Sequence, residues 1–146
     1  MDTANPLVLR RFIGNPDMGW KVAWTDRMIF FYSGVWVFAM SLYPFWRKIK
    51  KLPLWGLVLF LFPMIIDGGS HIISELAGSL EGFRFTNLWL ASLTANRYSA
   101  SFYAGNMLGS FNSWMRIVTG SLAGFGLSWF ILSTVKPNLT EYNPNK

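Results

Sequence analysis

Met28–Trp46 reads MIFFYSGVWVFAMSLYPFW, nineteen consecutive positions without a charge. At about 1.5 Å per residue a helix of that length spans roughly 28 Å, close to the hydrocarbon thickness of a bilayer. Two more segments have the same character. Leu52–Ile66 (LPLWGLVLFLFPMII) is apolar but short for a crossing. The following DGGSHIIS completes it to a span of about 52–73, or the local bilayer thins. Ile117–Val135 (IVTGSLAGFGLSWFILSTV) is again uncharged and anchors a span of about 113–135. The fold expected is therefore an all-α integral membrane protein with three transmembrane helices and a short interfacial helix in the second loop.

Composition agrees. Charged residues make up 14% of the 146 positions and hydrophobic ones 52%, with 18% aromatic. Soluble domains carry about 25% charged residues. The mean hydropathy is +0.31. The net charge of +6 resides beside apolar runs, which points to anionic lipid head groups. No aromatic-basic RNA motif or zinc-knuckle spacing is present, so nucleic acid is not an expected partner. The absence of cysteine excludes disulfides, thiolate metal sites and cysteine catalysis. The first 25 residues show no signal-peptide core, so the first span itself is expected to drive insertion.

The remaining stretches organise around the spans as one membrane domain over residues 1–146. Residues 1–27 carry Pro6, Gly14, Pro16 and Gly19 and are expected to be extended or turned on the membrane surface. Trp20 and Trp24 suit the head-group layer. Residues 78–110 form a polar-aromatic surface connection in which Asn87–Thr94 (NLWLASLT) is the expected interfacial helix. Pro63 removes a backbone donor and predicts a kink, and Gly68-Gly69 is a candidate break. Lys136-Pro137 is expected to end the third span, leaving 137–146 as a polar tail. RKIKK (Arg47–Lys51) clusters four positive charges at one membrane face, which assigns that loop and the C-terminus to the cytoplasm. Total Lys and Arg counts, six on that side and seven on the other, do not reinforce the assignment.

Alternating span directions deliver the polar residues to the opposite face. Asp26-Arg27 precedes the first span, Asp67 ends the second, and Asn112 and Arg116 begin the third. Asn112, Arg116, Thr119 and Gly120 fall on one helical stripe, as do Asp67, His71 and Glu75 if that helix continues. The bland reading is a set of interfacial residues reaching water, with Asp26 or Asp67 paired to Arg27 or Arg116 to pin helices together. The sharper reading is a pocket for a proton, ligand or metal. One histidine with two carboxylates suits zinc, iron or manganese, so Asp67, His71 and Glu75 are the candidate metal ligands. The single histidine, the missing HExxH and the double glycine argue against them, and no cofactor is favoured. Gly120 and Gly124 form a GxxxG that lets helices approach closely, within the chain or between subunits. Ser70 lies beside His71, but no GxSxG elbow supports a hydrolase.

Three signatures occur in order: Ala23-x-x-x-Arg27-x-x-x-x-Tyr32, Pro63-Met64-x-x-Asp67-Gly68, and Asn112-Ser113-x-x-Arg116-x-x-Thr119-Gly120. Over roughly residues 20–136 the chain resembles a family of small prokaryotic membrane proteins that constitute a domain of unknown function. The resemblance implies a multi-pass protein of the prokaryotic inner (plasma) membrane and no particular activity. Members often have cysteine where this chain has Thr25 and glutamine at His71, which makes a family-wide metal site less expected. Three short spans leave little room for a substrate path. The expected role is a non-catalytic accessory subunit packing with other membrane subunits or as a homo-oligomer, with energy-converting assemblies one candidate class. The alternative is a membrane-embedded site formed by Asp67, His71, Glu75 and Arg116.

Overall fold

The computed structural model describes residues 13–17, 19–20, 25–76, 82–103, 105 and 108–141. Trp24, Asn106 and the last five residues of the tail lie outside them. Two short strands, β1 (Gly14–Asn15) and β2 (Gly19–Trp20), pair antiparallel before the first helix. Trp20 is 70% exposed.

Helix α1 covers Asp26–Leu42. Thr25 is extended and its hydroxyl accepts from the Met28 N–H at 3.4 Å, which satisfies one of the orphan donors of the first turn. Asp26 places a negative charge at the positive end of the helix dipole. A 3-10 turn, Tyr43–Phe45, carries Pro44 at its start and closes the helix. The basic loop follows. Its backbone is tied to the last helix, because Trp129 donates from Nε1 to the Lys50 carbonyl at 3.0 Å. The Leu52 N–H also donates to Ser133 Oγ at 3.2 Å.

Helix α2 runs without interruption from Leu54 to Leu76. Neither Pro63 nor Gly68-Gly69 breaks it. Proline costs one backbone bond, and glycine only weakens a helix by about 1 kcal/mol. The polar residues after Asp67 therefore remain on helical spacing. Three short helices cap this end: α3 (Phe83–Thr86), α4 (Leu88–Leu93) and α5 (Ala100–Tyr103). Asn87 joins the first two in a left-handed conformation (φ 46°), which asparagine tolerates better than most residues.

Helix α6 covers Phe111–Glu141. The helix continues past Lys136-Pro137 while its apolar spanning stretch ends at Val135, since a proline there costs only one helical bond, the one that the Ser133 carbonyl would accept. This helix is central and packs on both α1 and α2, whereas α1 and α2 barely meet along their lengths. Both contacts use glycines of α6 and the ring of Phe125, which is edge-on to Phe38 of α1 at 5.2 Å. Against α1 the backbones nearly touch: a Cβ on Gly124 would sit 2.8 Å from Phe31 O and Val35 N, and one on Gly120 3.1 Å from Arg27 O. Ser128 adds an interhelical bond to Val35 O at 2.8 Å. Against α2 Phe60 is edge-on to Phe125 at 5.5 Å with Trp129 beside both, and a Cβ on Gly126 would collide with Phe60. The small-residue motif thus serves packing within the chain.

Three helical stretches, Asp26–Phe45, Leu54–Leu76 and Phe111–Val135, are long and apolar enough to cross a membrane. Gly34 is the one buried residue of α1. Met28, Ile29, Tyr32, Trp36, Val37 and Met40 face outward, while Phe31, Val35 and Phe38 are half-buried. In water such a helix would gain little by burial; in a bilayer its apolar surface meets acyl chains and every backbone bond is internal.

Candidate functional site: a buried carboxylate between two arginines

Asp67 is the organising residue. It is 3% exposed and stands 9 positions before the end of α2, about 14 Å along the helix. It is therefore not a carboxylate at a helix end reaching water. Arg27, in the first turn of α1, donates to Oδ2 from Nη2 at 2.6 Å and from Nε at 3.2 Å. Arg84, from α3, donates to Oδ1 from Nη2 at 2.6 Å. Each carboxylate oxygen thus has its own guanidinium. Such charge-assisted bonds are short and strong, and burial of the carboxylate without them would be costly.

Arg84 is itself buried, and its other donors are used. Nε and Nη2 donate to Ser70 Oγ at 2.9 and 2.8 Å, and Nη1 donates to Asn112 Oδ1 at 3.3 Å. Its backbone N–H donates to Ser74 Oγ at 2.9 Å. The chain can come this close to α2 because residue 82 is glycine: any Cβ there would collide with Ser74. Asn112 is fully buried at the start of α6 and returns two bonds to the cap. Its Nδ2 donates to Arg84 O and, at 2.9 Å, to Gly105 O. One arginine thus ties α2, the cap and α6 together, and Asp67 adds α1.

The stripe of α2 that makes these contacts is Asp67, Ser70 and Ser74, with spacings of three and four. The Asp67, His71, Glu75 stripe does not converge on Asp67's carboxylate, whose oxygens are already occupied. Among the described residues no group of three or more His, Asp or Glu side chains comes together in a metal-binding arrangement. His71 is half-buried and within electrostatic reach of Arg27, Arg84, Arg116 and Asp67. Its Nε2 is buried and has no hydrogen-bond partner among the described residues.

A second pair lies nearby. Arg116 Nη1 approaches Asp26 Oδ2 at 3.6 Å. Thr119 donates to the Met115 carbonyl of its own helix at 2.7 Å and takes no part in the Asp67 network. Of the residues that sequence reasoning grouped, Arg27, Asp67 and Asn112 are thus joined through Arg84, while Asp26 and Arg116 form a separate contact. Arg84, Ser70 and Ser74 were missed as members. The serines carried a signal, since they share Asp67's helical face. Arg84 carried none beyond an arginine between two phenylalanines.

A family profile described as "Predicted membrane protein (DUF2085)" matches residues 17–130. The chain belongs to that family. The match includes Arg27, Asp67, Arg84, Asn112 and Arg116 together with all three spanning helices up to residue 130. Comparison with curated proteins and with solved structures returns no match.

Proposed function

We propose that this DUF2085 protein is a non-catalytic membrane subunit that docks onto partner subunits of a larger assembly through its cap. The carrying observation is the apolar surface of that end. Leu88 is 68% exposed, Leu93 79% and Leu108 94%, in the connection between α2 and α6, outside the three spanning stretches. Large apolar patches rimmed by polar residues mark interaction sites. The Asp67 network supports a structural reading of the interior, because its donors and acceptors are spent on one another. The test is native mass spectrometry after gentle detergent extraction from native membranes. Partner subunits or further copies of the chain are expected on the wild type and are expected to be lost in a Leu93→Asp, Leu108→Asp double variant. A stable lone monomer would refute the reading; energy-converting complexes are the first class of assembly to look for.

The same proposal places the chain in a prokaryotic plasma membrane with the Arg47–Lys51 loop in the cytoplasm. The chain lacks cysteine, so a single cysteine at Lys48 reports orientation directly. Labelling by an impermeant maleimide in intact spheroplasts would reverse the assignment.

A further inference from the structure

At the opposite end of the bundle lies a groove that the Asp67 network does not touch. Its volume is about 440 Å³, within the range of ligand clefts. Val35, Trp36, Ala39, Met40 and Tyr43 line it from the α1 side and Leu132 from α6. Among the described residues no lining residue is charged. Trp36, Met40 and Tyr43 are each more than 60% exposed, so the groove opens sideways toward the hydrocarbon.

The groove leads to a concentrated positive charge. Tyr43 stacks on Trp46 with the ring planes 7° apart and centroids 6.5 Å apart. The Arg47 guanidinium lies 5.7 Å from the centre of the Trp46 ring. The apolar wall therefore continues into Arg47, and Lys48, Lys50 and Lys51 follow, all exposed. The bonds from Trp129 to the Lys50 carbonyl and from the Leu52 N–H to Ser133 hold this loop beside the helix that supplies Leu132. Residues 28–66 contain no acidic residue.

We propose that the groove and the basic loop together bind one anionic phospholipid, its acyl chain along Val35–Tyr43 and its phosphate at Arg47 and Lys48. A free phosphate would use the loop and leave the groove empty. A partner helix would fill the groove without meeting the charge. A phospholipid supplies both groups at the required end of the helix, and Tyr43 and Trp46 occupy the head-group level where such rings are enriched.

The test uses the purified full-length chain in detergent with equimolar palmitoyl-oleoyl phosphatidylglycerol and phosphatidylcholine, read by native mass spectrometry. One phosphatidylglycerol per chain is expected in clear preference to phosphatidylcholine. A juxtamembrane basic residue contributes about fivefold in affinity, so Arg47→Gln with Lys48→Gln should lower phosphatidylglycerol retention roughly 25-fold. The same change should leave phosphatidylcholine unaffected. Ala39→Phe, which fills the groove, should lower retention of both lipids; if it fails to elute as folded protein, Met40→Trp at the groove mouth replaces it. Excess glycerol phosphate should displace nothing. Equal retention of the two lipids, indifference to Ala39→Phe and Met40→Trp, displacement by glycerol phosphate, or a chain dimer lost on filling the groove would each overturn the proposal.

Discussion

Two arginine–aspartate contacts lie side by side in this protein, built from adjacent residues of one helix start. Arg27 meets Asp67 at 2.6 Å, and the Asp67 side chain is 4% exposed. Asp26 meets Arg116 at 3.6 Å, and the Asp26 side chain is 40% exposed. The chemistry is the same and the surroundings are opposite. Asp67 has a second guanidinium, and that guanidinium is held by Ser70 and Asn112. Asp26 has a loose contact at the rim. Removing one partner of a buried pair leaves a charge without solvent, whereas exposed pairs are screened and contribute little. The two contacts should therefore differ several-fold in what they do for stability, although a sequence-level inventory would rank them alike.

The largest effect is expected from Asp67→Ala. It strands Arg27 and Arg84 opposite each other with no carboxylate between them. A loss of about 3–5 kcal/mol is expected, measured as reversible unfolding in mixed micelles. Asp67→Asn retains the shape and an acceptor, so it should fall between wild type and Asp67→Ala. Wild-type stability in Asp67→Ala would mean that packing along α6 alone holds the helices, and the contrast between the two pairs would disappear.

Arg84→Met should cost less. Arg27 still neutralises Asp67, so no charge is stranded; what disappears are the bonds to Asp67, Ser70 and Asn112. Hydrogen bonds to charged groups contribute about 1.5–3 kcal/mol, and a loss of that size is expected. The location matters as much as the size. Amide exchange should rise across 82–105, where the cap is attached through this residue, and stay low in Asp26–Leu42. Uniform loss of protection over all three long helices would show that Arg84 acts on the bundle as a whole, not on the cap.

How far these features were legible in the sequence depends on the range of the forces. The three spans were readable because hydrophobic length is a local property. The GxxxG of Gly120 and Gly124 was readable as a close approach, though not which helix approaches. The continuity of α2 through Pro63 and Gly68-Gly69 was not readable, since single-residue penalties of a few kcal/mol are outweighed by packing and by the need to satisfy backbone groups in lipid. The stripe Asp67, His71, Glu75 was chosen for its chemistry, while Asp67, Ser70, Ser74 is the stripe that geometry uses. An i, i+4 pattern and an i, i+3, i+7 pattern coexist on every helix, and only the partner's position decides between them. Arg84 shows the limit most plainly. It is 17 residues from Asp67 and beyond the end of α2, so no helical spacing aligns them.

Asp26→Asn should have the smallest effect and gives the sharpest test of the comparison. The rim pair is expected to contribute at most about 1 kcal/mol. The carboxylate's place in the first turn of α1 adds about 0.3–1 kcal/mol through the helix dipole. Both contributions are screened, because the Debye length shrinks from about 10 Å at 0.1 M salt to about 3 Å at 1 M. The difference between Asp26→Asn and wild type should therefore nearly vanish in 1 M salt. The deficit of Asp67→Ala should persist there, since ions do not reach a carboxylate that is 4% exposed. If the two variants respond to salt alike, Asp67 is in practice as accessible as Asp26. The network around it would then have to be treated as a solvated cluster, not a lock between helices.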